Sequence, residues 1–293
     1  MPDYTALRVE WQEMLARRHA MGESLALWTS VLDGWRDWKD RGVSPLQWSA
    51  AECLERWERG TPILCEAAPA IEPESLEDLL GPLMERLAAV GSDDAESLQR
   101  FAAAWDASRI GPASLFPTSG KDGSAVLSDE VGIAAHIAGF LAHGGLRPAL
   151  ETFFSRVREL PEGTWERGFC PWCGGLPSYG DLLEDGRRRL SCHLCGGWWI
   201  GPRLRCPFCQ AWQSGEMVRL VAEGAEEGYF VEACLACRGY LKGVDRRQRW
   251  NAVSPLVEDW ASPHVDYYAS REGYWRATPS LAQLLPSGEG AAG

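Results

Sequence analysis

The sequence predicts an α+β protein. An all-helical N-terminal domain fills residues 1–160, two small four-cysteine metal-binding units occupy 165–201 and 202–250, and a short helical tail over 251–293 packs back on the body. Three observations carry this expectation. Apolar residues recur at helical spacing through the first 160 residues. Four Cys-x-x-Cys pairs, Cys170/Cys173, Cys192/Cys195, Cys206/Cys209 and Cys234/Cys237, then crowd into 68 residues and use eight of the ten cysteines. Between the pairs lie short strand-like runs separated by turn residues.

Leu7, Trp11 and Leu15, followed by Leu25, Trp28, Leu32 and Trp35, mark two amphipathic helices by their three- and four-residue steps. Ser44 and Pro45 read as a helix start, a capping hydroxyl followed by a ring that suits the first turn, with Leu46, Cys53, Leu54 and Trp57 continuing it. Leu76, Leu79, Leu80, Leu83, Leu87 and Val90 form another stripe, which Gly81 and Pro82 should kink or split. Leu98, Phe101 and Trp105 mark a shorter helix, and Gly111 to Gly123 reads as an irregular connection. Ser128 opens a helix to about Ala142 that Gly144 and Gly145 end; Arg147 and Pro148 begin the next, with Leu150, Phe153, Phe154 and Val157 facing a core. Leu160-Pro161-Glu162-Gly163 breaks the pattern and marks the domain boundary.

From Phe169 onward the texture changes. Pro177 to Leu183 and Arg187 to Ser191 flank Glu184-Asp185-Gly186, a tight hairpin signal. Met217 to Ala222 and Tyr229 to Ala233 flank a turn at Gly224 to Gly228. The region thus reads as knuckle, hairpin, knuckle, twice over, and the tail as a helix around Leu256 to Tyr268.

A thiolate pair two residues apart curls around one ion, and a second such turn completes a tetrahedron, so eight ligands make two closed sites. The 18 residues between Cys173 and Cys192 and the 24 between Cys209 and Cys234 suit two-stranded excursions, which favours pairing the knuckles in sequence. The 10-residue gap from Cys195 to Cys206 keeps a site joining the second and third knuckles as the alternative. Glycine follows the second cysteine in the first two knuckles and can take a positive φ. Gln210 and Arg238 stand there in the other two, so the second site is expected to be more strained or more exposed. Zinc and iron both accept four thiolates, as structural ions or, for iron, in electron transfer. No strand-helix pattern surrounds any pair as a redox dithiol requires.

Around the sites, His193 reads as a surface or packing residue, because four cysteines already fill its site. Trp198 and Trp199 read as filling between the units, with an exposed partner surface as the alternative. Arg187, Arg188, Arg189, Arg203 and Arg205 read as a solvated edge strand, or else as a docking patch for an acidic partner. Cys53 and Cys65 read as small buried apolar residues.

Net charge is -12. Residues 166–250 hold 12 basic and 10 acidic side chains, and residues 1–165 hold 15 and 26. No domain presents the basic surface that a phosphate backbone demands, so no nucleic-acid partner is expected. No phosphate loop, nucleophile elbow or metalloprotease helix is present, and closed thiolate sites leave no coordination position for substrate. An enzyme is therefore not expected. No apolar run reaches a membrane span, and residues 1–30 lack the apolar core of a secretory signal. A cytoplasmic address follows, where paired cysteines favour metal over disulfides.

A helical half followed by four such pairs closely resembles the FdhE-type formate dehydrogenase accessory proteins. Trp199 and Arg203 stand at that family's positions before the third pair. Tyr240-Leu241-Lys242 follows the fourth pair as the family's Tyr-Leu-Lys does, and Gly273-Tyr274 with Arg276 resembles its Gly-Tyr-x-Arg. The motifs cover residues 170 to about 276; the helical half fits in character and lacks the family's basic, alanine-rich opening. The resemblance implies a cytoplasmic, non-enzymatic maturation factor with two rubredoxin-like (zinc-ribbon-like) centres, acting as a rigid docking scaffold for the catalytic subunit of a molybdenum- or tungsten-dependent formate dehydrogenase. It implies two bound metal ions, with iron preferred over zinc. Trp199, Arg203, Tyr240 and Lys242 become the candidate partner-contact residues. Two other readings stand beside it: a rubredoxin-like iron electron-transfer protein acting on the partner, and a nucleic-acid-binding zinc ribbon.

Overall fold

The computed structural model of the chain describes residues 3–18, 25–38, 42–90, 94–117, 124–213, 215–221 and 226–284, and among these, seven α-helices precede the first strand. They are α1 (Tyr4–Arg17), α2 (Ala26–Asp37), α3 (Ala50–Glu58), α4 (Pro73–Val90), α5 (Ala95–Asp106), α6 (Ser124–Val131) and α7 (Ala135–Phe153). Strands β1 (Tyr179–Leu182), β2 (Arg188–Ser191) and β3 (Trp198–Gly201) form one antiparallel sheet in that order. A second sheet follows from β4 (Met217–Leu220), β5 (Tyr229–Cys234), β6 (Gly239–Val244) and β7 (Trp275–Arg276), with β7 parallel to β6. Helices α8 (Pro255–Trp260) and α9 (Pro263–Arg271) fill the crossover between β6 and β7. The α+β class expected from the sequence is the one observed.

The helices form where apolar spacing and caps agree. Leu27, Trp28, Val31, Leu32 and Trp35 share the buried face of α2. The start expected at Ser44 moves to Ala50, because Ser49 closes a capping box: its hydroxyl accepts from the Glu52 amide while the Glu52 carboxylate accepts from the Ser49 amide at 2.8 Å. Residues 44–49 form no regular element, and the Leu46 amide donates to the Phe153 carbonyl at the end of α7.

Two expected helix breaks do not occur. Helix α4 runs unbroken through Gly81 and Pro82. A proline inside a helix costs about 3 kcal/mol. Burying Leu76, Leu79, Leu80, Leu83 and Leu87, each worth roughly 1.5–3 kcal/mol, outweighs it. Helix α7 likewise passes through Gly144, Gly145 and Pro148. A Cβ at Gly144 would stand 2.4 Å from Leu83, and one at Gly145 2.9 Å from Leu80, so the two glycines admit α4 rather than end α7. Pro148 has no amide for the Gly144 carbonyl, and the Trp35 indole donates to that oxygen instead at 2.7 Å. The break falls earlier, at Gly132, where φ is +72°.

Both hairpins form as expected, β1 with β2 around Asp185-Gly186 and β4 with β5. The beginning of the second turn, including Gly224, lies outside the described residues, as do residues 118–123 of the irregular connection. Strands β3, β6 and β7 carry no comparable turn signal in the sequence.

The expected boundary near residue 160 separates two textures but not two cores. One hydrophobic cluster runs from Trp11 and Trp35 through Leu150 to Leu190, Leu194, Trp199 and Leu256. Pro171 and Trp172 of the first knuckle accept backbone bonds from Ile63 and Leu64, and the Trp172 indole donates to the Val157 carbonyl. Two short helices after the second sheet meet the helical half: Trp260 stacks on Trp28 with centroids 4.0 Å apart. The two sheets meet where Gly180 of β1 faces Gly243 of β6, a contact so close that a Cβ at Gly243 would stand 1.6 Å from the Gly180 carbonyl oxygen.

Candidate metal centres and the buried ion cluster

Each knuckle is a tight turn that aims two sulfurs the same way. In the first, the Gly174 amide donates to the Cys170 carbonyl, the Cys170 amide to the Gly175 carbonyl, and the Gly175 amide to Cys173 Sγ at 3.4 Å. The second repeats the two backbone bonds through Gly196 and Gly197. Cys170, Cys173, Cys192 and Cys195 converge, all buried, and Cys206, Cys209, Cys234 and Cys237 form the second group. Sequential pairing is therefore the arrangement adopted, and the alternative joining the second and third knuckles is excluded.

The geometry fits a metal ion. A tetrahedral ion about 2.3 Å from each sulfur requires sulfur-sulfur edges of about 3.8 Å. Edges of 3.5 Å (Cys170 to Cys195, Cys173 to Cys192) and 3.7 Å (Cys206 to Cys237, Cys209 to Cys234) lie close to that value. Burial pushes the Cys170 and Cys173 thiols well above their ordinary range. Burial also acts to raise Cys195, but hydrogen bonds from the other three thiols and the Arg158 charge outweigh it and hold Cys195 well below that range. In the second group burial pushes Cys237 up to about 11 and raises Cys206 further. Four sulfurs that compete for protons in so small a space are a donor set suited to one cation, which replaces the protons.

The two centres differ as the sequence suggested. Gly174 and Gly196 take φ of +80° and +71°, and at the same turns Gln210 and Arg238 take +62° and +59°. A left-handed side-chain-bearing residue costs about 1–2 kcal/mol. Each has an offsetting contact: the Gln210 amide donates to the Cys206 and Pro207 carbonyls, and the Arg238 guanidinium donates to the Glu272 and Gly273 carbonyls and lies over the Tyr274 ring. Cys209 is exposed and Cys237 half-buried, whereas the first centre is closed on all sides. The first centre also receives cations from the helical half. Arg158 donates to the Cys195 carbonyl at 2.9 Å, and Arg147, paired with Glu151, donates to the His193 carbonyl at 2.8 Å.

Three of the four expected partner-contact residues are internal, and that assignment needs correcting. Trp199 is 1 % exposed, Tyr240 3 % and Lys242 1 %; Arg203 alone is at the surface. Trp199 fills the core beneath the first sheet and donates to the Arg167 carbonyl, while its neighbour Trp198 is 53 % exposed. Lys242 Nζ lies 2.6 Å from Asp266 and 3.1 Å from Asp259 and donates to the carbonyls of Asp259 and Ser262. Arg276 bridges the same two carboxylates, reaching Asp259 at 2.7 Å, and Tyr240 donates to Asp266 at 2.8 Å. Ser280 also donates to Asp266, and His193 Nδ1 sits 3.2 Å from Asp259. Two cations and two anions thus neutralise one another out of water, and they tie β6, α8, α9, β7 and the second knuckle together.

Burial opposes ionisation of Asp259, yet Arg276 and Lys242 outweigh it and hold the carboxyl below its usual range. His143, beside this cluster, is lowered to about 3 by burial and by His193, Arg147 and Arg276. Asp259 and Asp266 were missed in the sequence. The signal that could have pointed to them is Lys242 itself, a lone cation in the otherwise uncharged run Gly239 to Val244, which needs a buried anion.

Other expectations near the sites divide. His193 packs inside. Arg188 is not on a solvated edge: it lies buried on the central strand β2, 2.7 Å from Glu232. Cys53 is buried as expected, and Cys65 is exposed.

No family model matches the chain. It is similar to the "Protein FdhE homolog" of Aquifex aeolicus, 30% identical over 150 residues that cover 50% of this chain and 52% of that one. The homolog of Pseudomonas aeruginosa is 34% identical over 137 residues, covering 43% and 42%, and the "Protein FdhE" of Escherichia coli O1:K1 is 30% identical over 128 residues, covering 43% and 40%. The chain spans about half the length of the curated relatives it matches. Along 98% of both chains it shares the fold of the crystal structure of the FdhE protein from Pseudomonas aeruginosa, with a TM-score of 0.62 and 23% identity. By sequence over about half its length and by fold over nearly all of it, the chain is FdhE-like.

Proposed function

We propose that the chain is a non-enzymatic accessory factor that binds the catalytic subunit of a formate dehydrogenase during its assembly, with the two four-cysteine centres holding its docking surfaces rigid. The observation that carries this reading is the closure of the first centre: four buried thiols fill a tetrahedron and leave no position for a substrate. Similarity to proteins named FdhE supports the choice of partner. With Trp199, Tyr240 and Lys242 inside, docking falls to Arg203 and to exposed apolar side chains on the ribbon units, among them Trp198, Leu204, Trp212 and Leu235. The seat of this activity is the cytoplasm, where thiols stay reduced. Among the described residues, no helix is long and apolar enough to cross a membrane.

Co-purification of the metal-loaded chain with a formate dehydrogenase catalytic subunit tests the reading. Binding by the native chain, weakened when Trp212 and Leu235 are changed to aspartate while the fold survives, is the expected result. Absence of binding to any formate dehydrogenase catalytic subunit of its own host would overturn it.

The exposure of Cys209 favours a second reading, in which the second centre, loaded with iron, exchanges electrons with the partner. A reversible visible absorption change on reduction supports it, and a colourless zinc-loaded protein from the native host eliminates it.

A further inference from the structure

The first sheet ends on β3, and the outer edge of that strand is open. Register fixes which backbone groups it offers. Leu190 pairs with Trp199 and Arg188 with Gly201, and the Cys192 amide bonds the Gly197 carbonyl at 2.8 Å. Residues 197, 199 and 201 therefore bond β2, and the amides and carbonyls of Trp198 and Ile200 point away from it. Among the described residues no hydrogen bond is made to those four groups. Beside that edge, over the sheet face that carries the Trp198 and Ile200 side chains, lies a groove of about 330 Å3, walled on the far side by the connection after α7 and lined by Leu160, Trp165, Leu183, Trp198 and Ile200.

The charge at its rim is acidic. Glu159 and Glu162 lie on one wall, Asp185 near the other, and Arg187 bridges Glu162 and Asp185. Arg158 also lines the groove, but its guanidinium is turned inward to the carbonyls of Cys195 and Glu151. Three carboxylates thus face two available guanidiniums, Arg187 and the exposed Arg203 beside Gly186, and Glu159 is the carboxylate left without an ion pair among the described residues.

We propose that the β3 edge binds an extended, basic peptide segment by strand addition, the peptide backbone pairing with Trp198 and Ile200, its apolar side chains entering the groove and its lysine or arginine side chains meeting Glu159 and Glu162. The site does not depend on which protein supplies the segment, so it goes beyond the assembly reading and stands or falls separately from it.

The test uses the full, metal-loaded chain and a labelled octapeptide, acetylated and amidated, that alternates valine with lysine. Saturable binding is expected in fluorescence anisotropy, with slowed hydrogen exchange at the Trp198 and Ile200 amides. N-methylating the peptide at two alternate residues should weaken binding about tenfold, the worth of two neutral hydrogen bonds. Replacing its lysines by glutamate should abolish binding, and Glu159→Lys should weaken the lysine peptide. Trp198→Pro removes an outward donor without touching the ladder to β2 and should also weaken it; the N-methylated peptides supply the same information if that variant misfolds. Absence of saturable binding, indifference to N-methylation or to charge reversal, or unchanged exchange at the two amides would each overturn the proposal.

Discussion

Lys242, Arg276, Asp259 and Asp266 show how much can rest on four side chains. Removing one member of a buried, balanced ion cluster leaves a charge without a partner and costs about 3–5 kcal/mol. Lys242→Met is expected to lower stability to urea by an amount in that range, and adding Asp266→Asn, which restores neutrality, should recover part of it. Equal losses in the single and double variants would mean that the charge balance is unimportant. A second expectation concerns acid. His143 is held to about 3 in the fold against an ordinary value near 6.5, so the unfolded chain binds a proton that the folded chain does not. Stability should therefore fall as pH drops from about 6.5 toward 3, by up to about 1.4 kcal/mol per pH unit, less to the extent that His143 meets solvent. Below the ordinary carboxylate range the depressed Asp259 adds to the same trend. Denaturant melts at pH 7, 6 and 5 on the native chain and on His143→Gln check this: the variant should show a shallower decline, and parallel declines would contradict it. The resemblance singled out Tyr240, Lys242 and Trp199 and wrongly made them partner contacts, whereas the direct reading of Trp199 as packed filling agrees with its burial. The burial of Tyr240 and Lys242 depends on Asp259 and Asp266, and that of Trp199 on the core beneath the first sheet, all of which reach them only through the tertiary fold.

At the scale of elements, the glycines of α4 and α7 give a paired prediction. A Cβ at Gly144 would meet Leu83 at 2.4 Å, whereas one at Gly81 would meet nothing within 4 Å. Gly144→Ala should thus cost about 1–3 kcal/mol through overpacking. Gly81→Ala should raise stability by up to about 1 kcal/mol through helix propensity alone. Thermal melts that move in the same direction for both would refute this account of the helix contact. The same residues explain where local reading stopped. Asp185-Gly186 announces its hairpin because a tight turn is decided by the residues inside it. Gly144, Gly145 and Pro148 also look like punctuation, but their meaning is set by Leu80, Leu83 and Trp35 on other helices. Ser49 rather than Ser44 caps the helix, with Glu52 completing its box; Gln47 offers Ser44 the same spacing, so the local pattern alone does not choose between them.

For the whole molecule, the four cysteine pairs were legible from spacing because ligand geometry is local, and even the inequality of the two centres was visible at Gln210 and Arg238. The unity of the core was not. The first centre is wired into the helical half by Ile63, Leu64, Trp57 and Arg158, and the tail inserts Trp260 between α1 and α2. The second centre sits at the periphery, with Cys209 in contact with solvent. The two metals should accordingly differ in what they hold together. The first centre is part of the fold, and the second organises a surface. Chelator titration of the metal-loaded chain, with released metal and far-ultraviolet circular dichroism followed together, tests this most directly. The account predicts two steps of one ion each: the first ion leaves with the helical signal intact and is lost selectively in Cys209→Ser, and the second leaves only as the helices unfold. Release of both ions in one step, or loss of helical structure with the first, would contradict it.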